Sequence, residues 1–279
     1  MKKTTLIVSG ASGFSGAVIS DYFLKKKYKV WKIYNKKKID KKNLLTKKID
    51  LTKKIKFDIK SDWLLHTASF HKVKEFKKNP TSNYKKNILM TKNILELAKK
   101  NEIKNFIFFS TIDISRNFTP KEKKFYIRSK IKSEKLLINA YKNDIIKRLY
   151  ILRLPAVIGQ QCNANFLKLV MIHMKDDRKI KIWNAHLKYN NFVHIDDICR
   201  LIKNILVKKI KKEKKIIECV SSNPIKLYDL LILMKKKLNS KSEIIINKKV
   251  NDKIALFKNS IGFKFLSTKK SILKFLQDN

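Results

Sequence analysis

The stretch FYIRSKIKSEKLL, residues 125–137, sets Tyr126 and Lys130 four positions apart on a predicted helix. At that spacing two side chains share one helix face. A phenol with an ordinary pKa of ~10 is a poor base near neutral pH. An ammonium beside it favours the phenolate and brings proton transfer within reach. The spacing alone decides nothing, because lysine is abundant. Tyr22, Tyr28 and Tyr34 also have a lysine four residues on, so four of the nine tyrosines match. The plain alternative is a partly exposed tyrosine beside a solvated lysine. Position in the fold has to separate the four.

A second chemical signal is SGASGFSG, residues 9–16, which holds three of the chain's five glycines. Gly10 lets the chain turn sharply off a strand. Gly13 lets the backbone approach a pyrophosphate closely, and Gly16 lets the following helix pack against the sheet. Ser12 and Phe14 complete the loop at the helix start, where unpaired N–H groups attract an anion. The alternative is a glycine-rich turn with no ligand. The strand–turn–helix context favours the phosphate loop.

The elements that must carry these residues follow from the pattern. Residues 4–9, 29–34, 64–69, 105–111 and 149–155 read as buried strands, and 14–26, 83–100 and 122–142 as helices. The lysine-rich segment 36–48 reads as loop or weak helix. This alternation predicts an α/β fold with a doubly wound parallel sheet. After residue 160 the rhythm changes. Helix 164–175, strand 179–183, a turn into a helix over 190–206, helix 226–238 and β segment 243–247 predict a smaller α/β lobe. The expected division is residues 1–160, with 190–217 packing back on them, and 161–279.

Composition bounds the rest. The formal net charge is +45, from 67 Lys and Arg against 22 Asp and Glu. Nearly all of it is lysine, scattered over every segment, with Arg only at 116, 128, 148, 153, 178 and 200. Arginine's planar fork suits bidentate contact with phosphates and bases, and it is scarce here. Weak, salt-sensitive adhesion to polyanions is expected, and nucleic acid is expected to bind only non-specifically. Cys162, Cys199 and Cys219 suggest no disulfide framework, and the five histidines show no metal spacing. No stretch approaches the ~18–20 apolar residues of a membrane span, so a cytoplasmic protein is expected.

Taken in order, these stretches resemble the extended short-chain dehydrogenase/reductase family, the NAD-dependent epimerase/dehydratases. G-x-x-G-x-x-G is the family's spacing. Asp50 and Leu51 in IDLTK resemble its Asp-Leu at the adenine. LLHTAS resembles its H-x-A-A loop, with Thr67, Ala68 and Ser69 beside the cofactor. Asn87 and Thr91 resemble N-x-x-G-T, with Met90 in place of glycine. FFSTIDIS resembles the catalytic strand, LRLPAVIG with Pro155 resembles L-R-x-x-x-x-x-G, and NFVHIDDI with His194 resembles Y-V-H-V-x-D-V. IGFKF, 261–265, resembles the tail motif before a terminal helix. The resemblance covers nearly the whole chain.

It implies a Rossmann-type fold, a NAD or NADP cofactor and a nucleotide-sugar substrate. It also selects among the tyrosines: only Tyr126 follows the FFST strand and opens the next helix, where the family places its pair. Thr111, Tyr126 and Lys130 are then the catalytic set, with Lys130 also holding ribose hydroxyls and Thr111 the substrate oxygen. Asn165, and Lys168 near it, would meet the nucleotide diphosphate. Arg153 would contact phosphates or pair with a carboxylate. A homodimer through helices 83–100 and 122–142 is the family expectation. Departures also count. Family dehydratases carry Thr-Asp-Glu where this chain has Thr111-Ile112-Asp113, so the acid for dehydration is missing, and Asp113 reads as a base or, more plainly, a supporting carboxylate. The second strand ends at Asn35 and Lys36 with no acid for a ribose 2′-hydroxyl, which favours NADP. Asp196 or Asp197 reads as a helix cap. Epimerase and 4-ketoreductase share the same residues. The alternative from another class is a catalytically silent dinucleotide-fold protein that binds RNA.

Overall fold

The structure, a computed structural model, describes residues 3–35, 45–71, 73–116, 123–247, 256–258 and 262–279. In chain order the first part runs β1 (Thr5–Ser9), α1 (Phe14–Lys25), β2 (Lys29–Tyr34), β3 (Thr46–Lys48), β4 (Trp63–His66), α2 (Val73–Lys78), α3 (Pro80–Lys100), β5 (Asn105–Thr111), a 3-10 turn (Ile112–Ser115), α4 (Lys124–Lys142) and β6 (Arg148–Leu154). It continues through β7 (Ala156–Ile158), α5 (Phe166–Lys175), β8 (Ile180–Ile182), β9 (Lys188–Tyr189), β10 (Phe192–His194) and α6 (Ile195–Val207). Then come β11 (Glu213–Glu218), β12 (Ile225–Lys226), α7 (Leu227–Lys237), β13 (Ile244–Ile246) and α8 (Thr268–Gln277).

Seven strands form one sheet in the order β11-β6-β5-β4-β1-β2-β3. β1 pairs in parallel with both β2 and β4, β4 with β5, and β2 with β3. The strands are continuous apolar runs because helices cover both faces of such a sheet. Leu6, Ile7, Val8, Leu64, Leu65, Phe106 and Ile107 are all fully buried. This is the doubly wound parallel arrangement expected from the sequence. One difference lies at its edge. Of the segment read as loop or weak helix, Thr46–Lys48 is a strand, in register with Lys32–Tyr34. Three residues with two lysines carry too little pattern to announce an edge strand.

The chain sorts into two compact units, 1–153 with 208–217, and 154–207 with 218–279. The return to the first unit is thus narrower than expected: residues 208–217 join it, and α6 belongs to the second. α6 buries Ile195, Ile198, Cys199, Leu201, Ile202 and Ile205 there. The second unit also holds the small pairings β7–β10, β8–β13 and β9–β12.

Helix ends show what a glycine-poor composition entails. Lys27, Glu102, Asp144, Asp177 and Asn239 have positive φ, between 50° and 64°. Each lies two residues past the end of α1, α3, α4, α5 or α7. Helices commonly stop on a left-handed residue, which glycine takes without a Cβ penalty. With five glycines in the chain, other residues fill that role.

Candidate active site

The first unit brings the loop after β1, the loop after β4, the end of β5 and the start of α4 to the same side of the sheet. Gly10 ends β1 with φ +74°. A Cβ on Gly10 would lie 2.7 Å from the Ala68 nitrogen, and one on Gly16 would strike the Gly10 carbonyl and the Thr67 hydroxyl. Thr67 locks the two loops by donating to the Ser9 carbonyl at 2.6 Å. Gly16 therefore closes the helix on its own loop and on Thr67. Gly13 is different. It is exposed, its backbone conformation (φ −83°, ψ 161°) suits any residue, and an added Cβ would meet only the Gly10 oxygen at 3.3 Å. Its bareness leaves the backbone open to a group arriving from outside. α1 starts there with no side-chain cap and no acidic residue in its first turn. Such a helix start suits a pyrophosphate, so the cradle fits a dinucleotide. Ser12 and Phe14 flank Gly13 on this loop, both part-buried.

Thr111 closes β5, buried at 5 % exposure. The side chains of both Thr111 and Ser69 act on the Tyr126 hydroxyl from close by. Ser69 thus joins the catalytic candidates from the loop after β4. The Tyr126 ring stands edge-on to Phe76, 5.8 Å between centroids. Lys130 lies one turn further along α4. Its Nζ donates to the Phe109 carbonyl at 2.7 Å, sits 4.7 Å from the Phe108 ring centre and 5.9 Å from that of Tyr126. Burial lowers the Lys130 pKa to about 7, against which Glu134 acts by raising it. Burial raises that of Tyr126, as does the charge of Asp113, while Ser69 and Thr111 act the other way.

Asp113 is not free. Arg116 Nε lies 2.6 Å from Oδ1, and Lys123 Nζ lies 2.8 Å from Oδ2. Both carboxylate oxygens thus face cations. Arg153 pairs with Glu134, Nη2 to Oε2 at 2.8 Å and Nε to Oε1 at 3.2 Å, and donates to Ser115 Oγ at 3.0 Å. Of the two roles considered for Arg153, the structure has the carboxylate pair. Ser110 also donates to Glu134, at 2.5 Å.

The other candidates are placed as follows. Asn35 is exposed at the end of β2, and Lys36 lies outside the described residues, as does Ile261 of the tail motif. Asp50 accepts from the backbone and hydroxyl of Thr52, and buried Leu51 has its carbonyl held by Asn93. Ala68 is part-buried under the glycine loop. Asn87 is committed within the protein: it accepts from the Phe70 N–H and donates to the Phe70 carbonyl and Ser129 Oγ. Pro155, Asn165 and His194 belong to the second unit. Asn165 caps α5 by accepting from the Lys168 N–H, and Lys168 donates to the Cys162 carbonyl. His194 is fully buried; its Nδ1 accepts from the Asp196 N–H, which caps α6, and its Nε2 faces Asp278 Oδ2 at 3.0 Å. The expected caps do something else: Asp196 pairs with Lys274, and Asp197 accepts from the Leu266 N–H and Arg200.

Several polar contacts under the site escaped the sequence reading. His66 bonds Ser9 through Nδ1 at 2.7 Å and meets Thr91 through Nε2 at 3.4 Å, and Thr91 bonds Ser133 at 2.9 Å. Burial, then the charge of Lys130, lowers the His66 pKa to about 3, so it stays neutral. The pairs Asn87–Ser129 and Thr91–Ser133 have the same separation of 42 residues. α3 and α4 therefore run side by side in parallel, in register at polar contacts. The available signal was Ser129, Lys130, Ser133 and Glu134 interrupting the apolar face of α4. Among the described residues no group of three His, Cys, Asp or Glu is placed to hold a metal, and no helix is long and apolar enough to cross a membrane.

A sequence model of the NAD dependent epimerase/dehydratase family matches residues 6–219. No curated protein sequence matches. Among solved structures, the chain is similar to UDP-N-acetylglucosamine 4-epimerase from Methanobrevibacter ruminantium M1, in complex with UDP-N-acetylmuramic acid, at TM-score 0.80 and 20% identity over 99% of this chain and 98% of that one. It is similar to RMD from Pseudomonas aeruginosa, complexed with NADPH, at 0.76 and 17% over the same shares. It is also similar to TunA, a NAD dependent NDP-hexosamine 5,6-dehydratase of tunicamycin biosynthesis, at 0.76 and 13% over 99% and 97%. At these identities the likeness is one of fold. None of the three is described as binding RNA, and the charge-led alternative gains no support.

Proposed function

The chain belongs to the NAD-dependent epimerase/dehydratase family, and we propose that it is a NAD(P)-dependent nucleotide-sugar epimerase or 4-ketoreductase. The observation that carries this reading is the meeting of the Tyr126 hydroxyl with Thr111 and Ser69, one helix turn from buried Lys130. A bound nicotinamide would accept or supply the hydride. The residues of the chain do the rest. Tyr126 moves the proton to or from the sugar oxygen. Thr111 and Ser69 orient that oxygen through the hydroxyls they hold beside Tyr126. Lys130 supplies a cation against the tyrosine face. The loop 9–16 and the start of α1 hold the diphosphate bridge of the cofactor, with Asp50 and Leu51 at its adenine end.

Dehydration is disfavoured by two features of this chain. The residue after Thr111 is Ile112, and Asp113 is held in two ion pairs. TunA, of the same fold, is a dehydratase, so this rests on the residues and not on the fold. The acid-free end of β2 favours NADP over NAD. A cytoplasmic homodimer completes the reading.

The deciding experiment denatures salt-washed protein, identifies the nucleotide released, and compares turnover with Tyr126→Phe. Retained NAD near one per chain supports an epimerase with a closed redox cycle. Saturable NADPH binding without retention supports a reductase. In either case Tyr126→Phe keeps the dinucleotide and loses at least about 100-fold in turnover. Unchanged turnover removes Tyr126 as the acid–base residue.

A further inference from the structure

Asp113 sits between the end of β5 and the start of α4, yet the proposed chemistry gives it no task. It is buried at 6 % exposure. Its N–H donates to Thr111 Oγ1 at 3.3 Å, and Thr111 Oγ1 lies 3.4 Å from Oδ2. Arg116 holds Oδ1 at 2.6 Å and Lys123 holds Oδ2 at 2.8 Å. Arg116 precedes and Lys123 follows the segment 117–122 that joins the 3-10 turn to α4. One carboxylate therefore ties the end of β5 to the residue just before α4, three positions before Tyr126. Thr111 in turn stands beside the Tyr126 hydroxyl. Both of Asp113's oxygens thus face cations.

Resting on the enzymatic reading above, we propose that Asp113 is a positioning residue of this site, setting both the spacing of the Thr111–Tyr126 pair and the charge that the tyrosine hydroxyl feels. The sign follows from the surroundings. Tyr126 faces Ser69 from the loop after β4, Thr111 from β5, Phe76 from α2, Asp113 from the 3-10 turn and Lys130 from its own helix. Among these the charged groups are Asp113 and Lys130. Behind them stand Arg116 and Lys123 on Asp113, and Glu134 and neutral His66 near Lys130. A buried negative charge next to a phenol disfavours the phenolate. Together with burial, the larger influence, Asp113 holds Tyr126 protonated in the free chain, and the positive charge of an oxidised nicotinamide would favour the phenolate. Arg116 and Lys123 set how much of that negative charge is felt.

The test titrates Tyr126 without turnover. Tyrosinate absorbance is followed against pH with saturating NAD+ or NADP+, and the Tyr126→Phe protein is subtracted. Asp113→Asn keeps the size and removes the charge, and the midpoint falls by about one pH unit. Asp113→Glu holds the wild-type midpoint. Lys123→Met removes a cation at a half-exposed position, tolerates the change even if Asp113→Asn folds poorly, and moves the midpoint up. Coincident midpoints for wild type, Asp113→Asn and Lys123→Met overturn the proposal, because Asp113 is then only a stabilising ion pair. Failure of the wild-type protein to bind either dinucleotide sinks the enzymatic reading and this proposal with it, and shows before any Asp113 variant is compared.

Discussion

At the scale of residues, the site is built against its own stability. Lys130 is an ammonium with 4 % exposure, with a carbonyl and two aromatic rings around it. Folding lowers its pKa from 10.5 to about 7. Between those values the unfolded chain binds more protons than the folded one, so stability rises with pH across that window. Lys130→Met, similar in shape and uncharged, removes this penalty. It is expected to raise the Tm at pH 6 by several degrees, with the gain shrinking as pH approaches 9. Calorimetry of both proteins across that range checks the sign. A gain that is flat in pH means Lys130 keeps its ordinary pKa in the folded state. The same variant is expected to lose turnover, since the cation opposite Tyr126 is gone.

At the scale of elements, the glycine loop and the helix ends show two uses of backbone freedom. Gly16 has no room for a side chain, because the Gly10 carbonyl and Thr67 occupy the place of its Cβ. Gly16→Ala forces α1 away from the loop. It is expected to lower stability by about 1–3 kcal/mol, as overpacking does, and to weaken dinucleotide binding at least as much as it weakens the fold. Denaturant unfolding with and without added NAD+ measures both. The helix ends run the other way. Lys27 and Glu102 hold left-handed conformations at φ 64° and 51°, where a Cβ costs about 1–2 kcal/mol. Lys27→Gly and Glu102→Gly are each expected to stabilise by about 0.5–1 kcal/mol, after the larger entropy of an unfolded glycine is deducted. A lower denaturation midpoint in either variant counts against strain at that position.

At the scale of the whole molecule, charge governs association. A homodimer through α3 and α4 meets a physical obstacle in this chain. The outer face of these helices has a cavity of about 340 Å³ lined by Tyr84, Arg128, Ile131, Lys132 and Lys135. A second copy brings the same cations to it. Salt screens such repulsion over ~10 Å at 0.1 M. The dimer fraction is therefore expected to rise from 50 to 500 mM NaCl, while adhesion to RNA or heparin falls. Sedimentation velocity at both salt concentrations separates the two. A dimer that weakens with salt points to an interface made elsewhere, through opposite charges.

Much of this was legible in the residues. SGASGFSG, the strand–helix rhythm and the place of Tyr126 after FFST are local patterns. A glycine spacing or an apolar period carries its meaning within ten or twenty residues. The sequence by itself determined the parallel α/β fold, the glycine-rich turn after the first strand and which of four Tyr–Lys pairs follows the FFST strand and opens the next helix. It did not determine which polar groups meet. Ser69 at the Tyr126 hydroxyl, Asp113 between Arg116 and Lys123, Glu134 between Ser110 and Arg153, and His194 as the cap of α6 are pairings across the fold. So is the division of work that sends Asn87 to Phe70 and Ser129. Only the tertiary structure decided these, because a buried polar group must find a partner and many candidates satisfy that need on paper. Packing alone selects which of them meet.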